Sequence, residues 1–236
     1  MAEKKRKMSG PKYRYELKYV CSDLQMRQME ERISVLLKKD QHVGEKGYYT
    51  IRSLYFDDYL DSAFREKEDG DNPREKYRIR YYDGRKELIH LEIKRKVGMK
   101  IQKESCEVTE KEAEAMMRGD WYEVFQNPDP TARRFYLEGA VRLFQPKIIV
   151  EYDRVPYIGR EGNVRITFDK NIRSCSETDR FWEKEMPVRP IMAPGQHLVE
   201  VKFDEFLPDW IYRTLQMDNM TQTAFSKYCL CRKYKR

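Results

Sequence analysis

The sequence predicts an α+β fold built around a large antiparallel sheet. Two observations carry this. Several segments alternate apolar and ionised residues, as in Tyr15-Glu16-Leu17-Lys18-Tyr19 and Tyr77-Arg78-Ile79-Arg80-Tyr81, and successive residues of a strand face opposite sides. Helical patterns are inserted among roughly eight such strands, which leaves either a sandwich or a closed barrel.

The elements follow in order. Residues 1–11 form a basic tail, expected to be disordered, and residues 12–236 a single domain. KYRYELKYV, from Lys12 to Val20, reads as a strand. Ser22 then caps a helix, with Gln25 at the third position of a capping box. That helix runs through Met26, Met29, Ile33, Leu36 and Leu37 to Lys39. The β-branched and aromatic run Tyr48 to Asp58 is a strand, with Asp57 and Asp58 ending it and capping a short helix from Tyr59 to Lys67.

Lys76 to Tyr82 and Glu87 to Lys96 flank Asp83-Gly84, a strong hairpin signal. Met99 to Val108 continues the meander past Gly98. Thr109 caps a helix to Arg118, and another spans Thr131 to Phe144. Strands return at Lys147 to Ile158, Asn163 to Asp169, Ile172 to Ser174 and His197 to Phe203. Pro208 opens a helix from Asp209 to Met217, and Phe225 to Leu230 is a terminal helical segment.

Composition bounds the function. Of the residues, 37% are charged and 40% hydrophobic, and the net charge is +7. The surplus of Lys and Arg favours anionic partners. No apolar run is long enough to span a membrane, and the N-terminal residues lack the apolar core of a secretion signal. The five cysteines form no CxxC pair and read as reduced thiols of a cytoplasmic protein. His42, His90 and His197 are scattered, which argues against a histidine metal site.

The parity of the charges is more telling. Leu91-Glu92-Ile93-Lys94, Val164-Arg165-Ile166 and Val199-Glu200-Val201-Lys202-Phe203 alternate as the first two segments do. Ordinary wet sheet faces mix Ser, Thr and Gln with charges, whereas here the polar positions are almost all Arg, Lys and Glu. The apolar face can be covered by the helices from outside, which turns the charged face inward. Tyr15, Tyr19, Tyr77 and Tyr81 then pack outside. An interior of unpaired cations is costly unless it is a wet tunnel for a polyanion. A triphosphate fits: Arg grips phosphate oxygens through a planar fork, Lys as a point charge, and a few carboxylates can hold Mg²⁺ or Mn²⁺.

RYELKY, SLYFD, YRIRYYDG, LEIKRK, EYDRVPY, RITFD, LVEVKF and FSKY occur in that order. Together they resemble the catalytic domain of the vacuolar transporter chaperone (VTC) polyphosphate polymerases, of the triphosphate tunnel metalloenzyme, or CYTH-like, superfamily. The chain resembles a stand-alone bacterial member without the extra membrane and regulatory domains of the eukaryotic proteins. The resemblance implies a closed eight-stranded antiparallel β tunnel with helices outside. It implies transfer of the γ-phosphate of ATP to inorganic polyphosphate, with Mn²⁺ or Mg²⁺ and without nucleic acid. It also leaves room for attachment to a membrane through partner proteins.

Carried over residue by residue, Arg78, Arg80, Lys94, Arg165 and Lys227 are the catalytic cations. Lys18, Lys96, Lys103, Arg154, Lys202 and Ser226 bind substrate. Glu200, with Glu92 and Glu16, holds the metal. Arg154 lies out of parity with Glu151, so a bulge or a different register is expected there. Two positions depart from the related patterns. The hydrolytic cousins open with E-x-E-x-K, but Arg14 stands in place of the first Glu, which favours the polymerase branch. Ala224 stands where the polymerases often have a Lys.

Overall fold

In a computed structural model, residues 13–216 and 220–233 are described. The tail, Lys12 and Met217 lie outside them. Ten strands and seven helices are present among the described residues. The strands are β1 (Tyr13–Ser22), β2 (Lys38–Lys39), β3 (Tyr49–Asp57), β4 (Arg74–Tyr82), β5 (Arg85–Val97), β6 (Lys100–Val108), β7 (Gln145–Ile158), β8 (Arg165–Cys175), β9 (Arg189–Pro190) and β10 (Gln196–Phe203). The helices are α1 (Asp23–Leu36), α2 (Ser62–Asp69), α3 (Glu110–Arg118), α4 (Trp121–Phe125), α5 (Pro130–Arg142), α6 (Asp209–Leu215) and α7 (Lys227–Lys233).

Eight strands close in the order β7-β3-β4-β5-β6-β1-β10-β8, and β8 pairs back to β7. All pairings are antiparallel. The tunnel predicted from the sequence is therefore a closed barrel, not a sandwich. The two-residue β2 and β9 are edge additions to β7 and β8. The β1–β6 seam is short, pairing only Tyr13 to Tyr15 with Lys100 to Gln102.

Local chemistry sets the helix boundaries. Ser22 and Gln25 form the predicted capping box of α1, and Thr109 and Glu112 form another on α3. Asp57 and Asp58 accept from the first amides of α2, Asp58 from Ser62 N and Asp57 from Ala63 N, both at 2.9 Å. The two segments expected on either side of Asp169 and Ile172 are one strand, β8. Asn171 sits between them in the left-handed region at φ 51°, where the β7–β8 register shifts. The strand bends there instead of ending.

Two apolar clusters lie outside the barrel. One packs Leu54, Tyr77, Ile79, Tyr81, Leu91 and Ile93 under α3, α4 and α5, and the other packs Leu17, Tyr19, Ile166, Phe168, Val199 and Val201 under α1 and α6. The tyrosines of the alternating strands are thus outer packing, as expected. A third cluster joins Ile51, Val150, Tyr152 and Leu198 on the inner face to Tyr228 and Cys229 of α7. The last helix therefore packs against the inside of the barrel.

Candidate active site

The inward face is set by register. Lys18 lies opposite Glu200, and Glu16 opposite Lys202, on β1 and β10. Arg78 pairs with Glu92, Lys76 with Lys94 and Arg74 with Lys96 on β4 and β5. Tyr49 pairs with Arg154 on β3 and β7, and Arg154 with Asp169 on β8. Because cross-strand partners share a face, these positions converge on one lumen. Most of them line a cavity of about 320 Å³, with Glu92, Tyr49 and Asp169 behind its wall, a volume within the range of ligand sites. Its wall carries eleven cationic side chains and two carboxylates, Glu16 and Glu200.

Three ionic clusters order these groups, the first two joined through Lys18 and Lys202. In the first, Glu16 receives Lys94 Nζ at 2.8 Å, with Lys18 at 3.4 Å and Lys202 at 3.5 Å. In the second, Arg154 is held two-pronged by Asp169, both bonds 2.7 Å. Lys227 from α7 reaches Asp169 at 2.6 Å and Glu200 at 2.8 Å. In the third, Glu92 takes Arg78 Nε at 2.7 Å and Lys103 at 2.9 Å, with Arg80 at 3.6 Å. Tyr55 accepts from Arg78 at 2.7 Å and Tyr152 from Arg80 at 3.1 Å. Ser226 caps α7 by accepting from Cys229 N at 3.2 Å, and Lys76 donates to the same hydroxyl at 2.6 Å.

Burial and charge pull against each other here. Burial alone would raise Glu16, but Lys18 and Lys94 outweigh it and hold the carboxylate well below its usual range. Burial likewise opposes ionisation of Glu200 and Glu92, yet Lys227 and Lys202 around the first, and Arg78 and Arg80 around the second, keep both well below the ordinary value. At Lys94 and Lys76 burial wins. It pushes Lys94 down to about 7 against Glu16, with Lys18 and Lys202 adding to the shift. It pushes Lys76 down to about 8 against the pull of Cys229. Lys227 goes the other way: burial lowers it, but Asp169 and Glu200 raise it above the usual lysine value.

Most of the predicted site residues meet. Glu16, Lys18, Arg78, Arg80, Lys94, Lys96, Arg154, Glu200, Lys202, Ser226 and Lys227 all line the cavity, as does Ala224. Three stand apart. Glu92, 1% exposed, lies behind Arg78 and Arg80 and is saturated by cations. Lys103 bonds that same Glu92 with its side chain 52% exposed. Arg165 turns to Asp40 and Tyr49, each at 3.0 Å. The irregularity expected near Arg154 is present as the β7–β8 register shift between Glu151 and Asp153, while β7 itself pairs without a break along β3 from Ile148 through Arg154. Arg154 shares its face with Tyr152, while Glu151 points outward to Arg52 and Arg173. Lys76 and Asp169 went unassigned in the sequence, although Lys76 shares the parity of Arg78 and Arg80, and Asp169 that of Arg165.

The donor set suits a hard divalent cation. Glu16 and Glu200 project from adjacent paired strands, and Mg²⁺ or Mn²⁺ is commonly held by one or two carboxylates plus phosphate oxygens and water. Among the described residues, no group of three or more His, Cys, Asp and Glu could hold an ion by itself. Arg14, in place of a further carboxylate, pairs with Asp204 at 2.9 Å.

A closed eight-stranded antiparallel barrel with an ionised lumen is the architecture of the triphosphate tunnel, or CYTH-like, fold. Residues 13–235 match the VTC domain, and the chain belongs to that family. No curated protein matches the sequence. Among solved structures, a candidate adenylyl cyclase from Hippeastrum with a dominant triphosphatase activity aligns at TM-score 0.58 and 13% identity, covering 94% of this chain and 95% of its own. A candidate adenylate cyclase from Bacillus halodurans aligns at TM-score 0.49 and 15% identity, covering 88% of each chain. At these identities the likeness is one of fold, and the second is too distant to carry an argument.

Proposed function

We propose that this protein is a polyphosphate polymerase that moves the γ-phosphoryl group of ATP onto the end of a polyphosphate chain and releases ADP. The observation that carries the reading is the cavity wall, with eleven cations facing two carboxylates in a chain of the VTC family. Such a wall suits a slender polyanion, and a cavity of about 320 Å³ does not admit a nucleic-acid duplex.

In this reading Arg78, Arg80 and Arg154 grip the triphosphate. Each fork is already oriented, Arg78 by Glu92, Arg80 by Ser53 and Tyr152, and Arg154 by Asp169. Groups held in place before the reaction stabilise developing charge without reorganising. Lys18, Lys94, Lys202 and Lys227 neutralise the oxygens, and Lys76 and Lys96 meet the phosphates nearer Arg74. Arg165 and Lys103, outside the cavity wall, would meet a chain longer than the cavity. Glu16 and Glu200 would hold Mn²⁺ or Mg²⁺, which supplies charge neutralisation on phosphate oxygens when bound. The acceptor's terminal phosphate is already anionic, so in-line attack needs alignment more than a general base.

A second reading, hydrolysis of triphosphate, is favoured by the activity of the Hippeastrum neighbour. Against it stands Arg14, tied to Asp204 where the hydrolases carry a Glu. One assay separates the two. The protein is incubated with ATP and Mn²⁺, with and without a short polyphosphate primer. ADP with acid-labile polymer supports the polymerase. Free phosphate without polymer supports the hydrolase, and no turnover at all leaves a polyanion-binding module.

A further inference from the structure

The two carboxylates that suit a metal are already filled by the protein's own cations. Lys18 and Lys202 each reach both of them. Lys18 lies 3.4 Å from Glu16 and 3.6 Å from Glu200, and Lys202 lies 3.5 Å and 3.2 Å from the same pair. Glu16 also holds Lys94 at 2.8 Å, and Glu200 holds Lys227 at 2.8 Å and Arg154 at 3.4 Å. Counting Asp169, which shares Arg154 and Lys227, five cations face three carboxylates. The ligand-free centre is thus net positive, and its shared lysines occupy the carboxylates that would hold a dication.

A bare dication entering this centre meets like charge in a confined, poorly solvated space, where such repulsion is strong. It would also have to evict ammonium groups that, among the described residues, have no other carboxylate in their ion pairs. A triphosphate reverses both conditions. Its charge outweighs the surplus, and its oxygens offer Lys18 and Lys202 new partners, which frees the carboxylates. They supply only two anionic groups, so phosphate oxygens are also needed to complete the coordination.

We infer that the metal enters this tunnel only with or after a triphosphate, because Lys18 and Lys202 hold Glu16 and Glu200 closed until phosphate draws them away. This rests on reading the lumen as a triphosphate site. It makes these two lysines an internal lock on the metal position as well as phosphate ligands.

Two binding measurements test it without turnover. Mn²⁺ binding to the ligand-free protein is followed by electron paramagnetic resonance of the free ion. Inorganic tripolyphosphate binding is followed by calorimetry in EDTA. The wild type is expected to bind tripolyphosphate without metal, and to bind bare Mn²⁺ at least about 10-fold more weakly than Lys202→Gln. The same substitution should weaken tripolyphosphate, so loss of one cation improves one ligand and harms the other. A merely structural role for Lys202 would not give opposite signs. Lys18→Gln provides the same test should Lys202→Gln fail to fold. Bare Mn²⁺ bound as tightly by the wild type as by either variant would overturn the ordering while leaving the tunnel reading intact. No tripolyphosphate binding in EDTA would overturn both.

Discussion

Arg80 lines the lumen and Glu92 lies 3.6 Å behind it, and the two should respond differently to mutation. Arg80 donates to Ser53 and Tyr152, and without it Glu92 keeps Arg78 and Lys103. Arg80→Ala is therefore expected to fold, with a melting temperature near wild type, and to lose about 10²–10³-fold in turnover. Removing Glu92 strands buried guanidinium groups, so Glu92→Ala should cost about 3–5 kcal/mol of stability in urea titration. Arg80→Ala with full turnover would remove it from the site.

Lys76 provides the pH signature. Its ammonium is pushed from 10.5 down to about 8, so across that window the unfolded chain binds more protons than the folded one. The contribution of Lys76 to the stability of the ligand-free protein then rises with pH from about 8 to about 10.5. A polyanion beside Lys76 returns the proton, so its affinity should fall as pH rises through about 8. Calorimetry in buffers of different protonation enthalpy should show proton uptake on tripolyphosphate binding, reduced in Lys76→Gln. Equal uptake in both proteins would assign the titration elsewhere.

At the scale of elements, the helix starts were legible because their signals are local. Ser22 with Gln25 and Thr109 with Glu112 cap within four residues of sequence. Ser22→Ala and Thr109→Ala should each cost about 1 kcal/mol in urea titration, with tripolyphosphate binding unchanged. The five-residue α4 escaped notice because Asp120 makes no capping hydrogen bond. The two-residue β2 and β9 exist only because partner strands complete them. The terminal segment was legible as a helix, but its place was not. Tyr228 stacks on Tyr55 with ring centres 5.1 Å apart and donates to Asp57 at 2.6 Å, which carries Lys227 to Asp169 and Glu200. Tyr228→Ala should cost about 3–5 kcal/mol and reduce turnover as well, since Lys227 loses its support. Tyr228→Phe, which keeps the stack, should retain most of both.

For the whole molecule, a barrel that closes around surplus positive charge should be stabilised by the anion it lacks. Tripolyphosphate at about 100 times its Kd adds about 2.7 kcal/mol. For a chain of 236 residues that corresponds to a rise in Tm of about 5–10 °C. Added salt should shrink the shift, since it screens charges at the open end of the tunnel. A melting temperature indifferent to tripolyphosphate would argue against a polyanion in the lumen.

The sequence by itself determined which residues share a strand face, since alternation is fixed by backbone geometry. From parity alone Lys18, Arg78, Arg80, Lys94, Glu200 and Lys202 fall on one side, and all six line the cavity. Tertiary structure decided which of those charges are free to meet a ligand. Glu92 and Lys94 have the same parity one pair apart, yet Glu92 lies behind two arginines while Lys94 faces the cavity. Arg165 has the right face but turns to Asp40. Such outcomes depend on partners far away in the chain, brought together only when β8 pairs with β7 and the barrel closes.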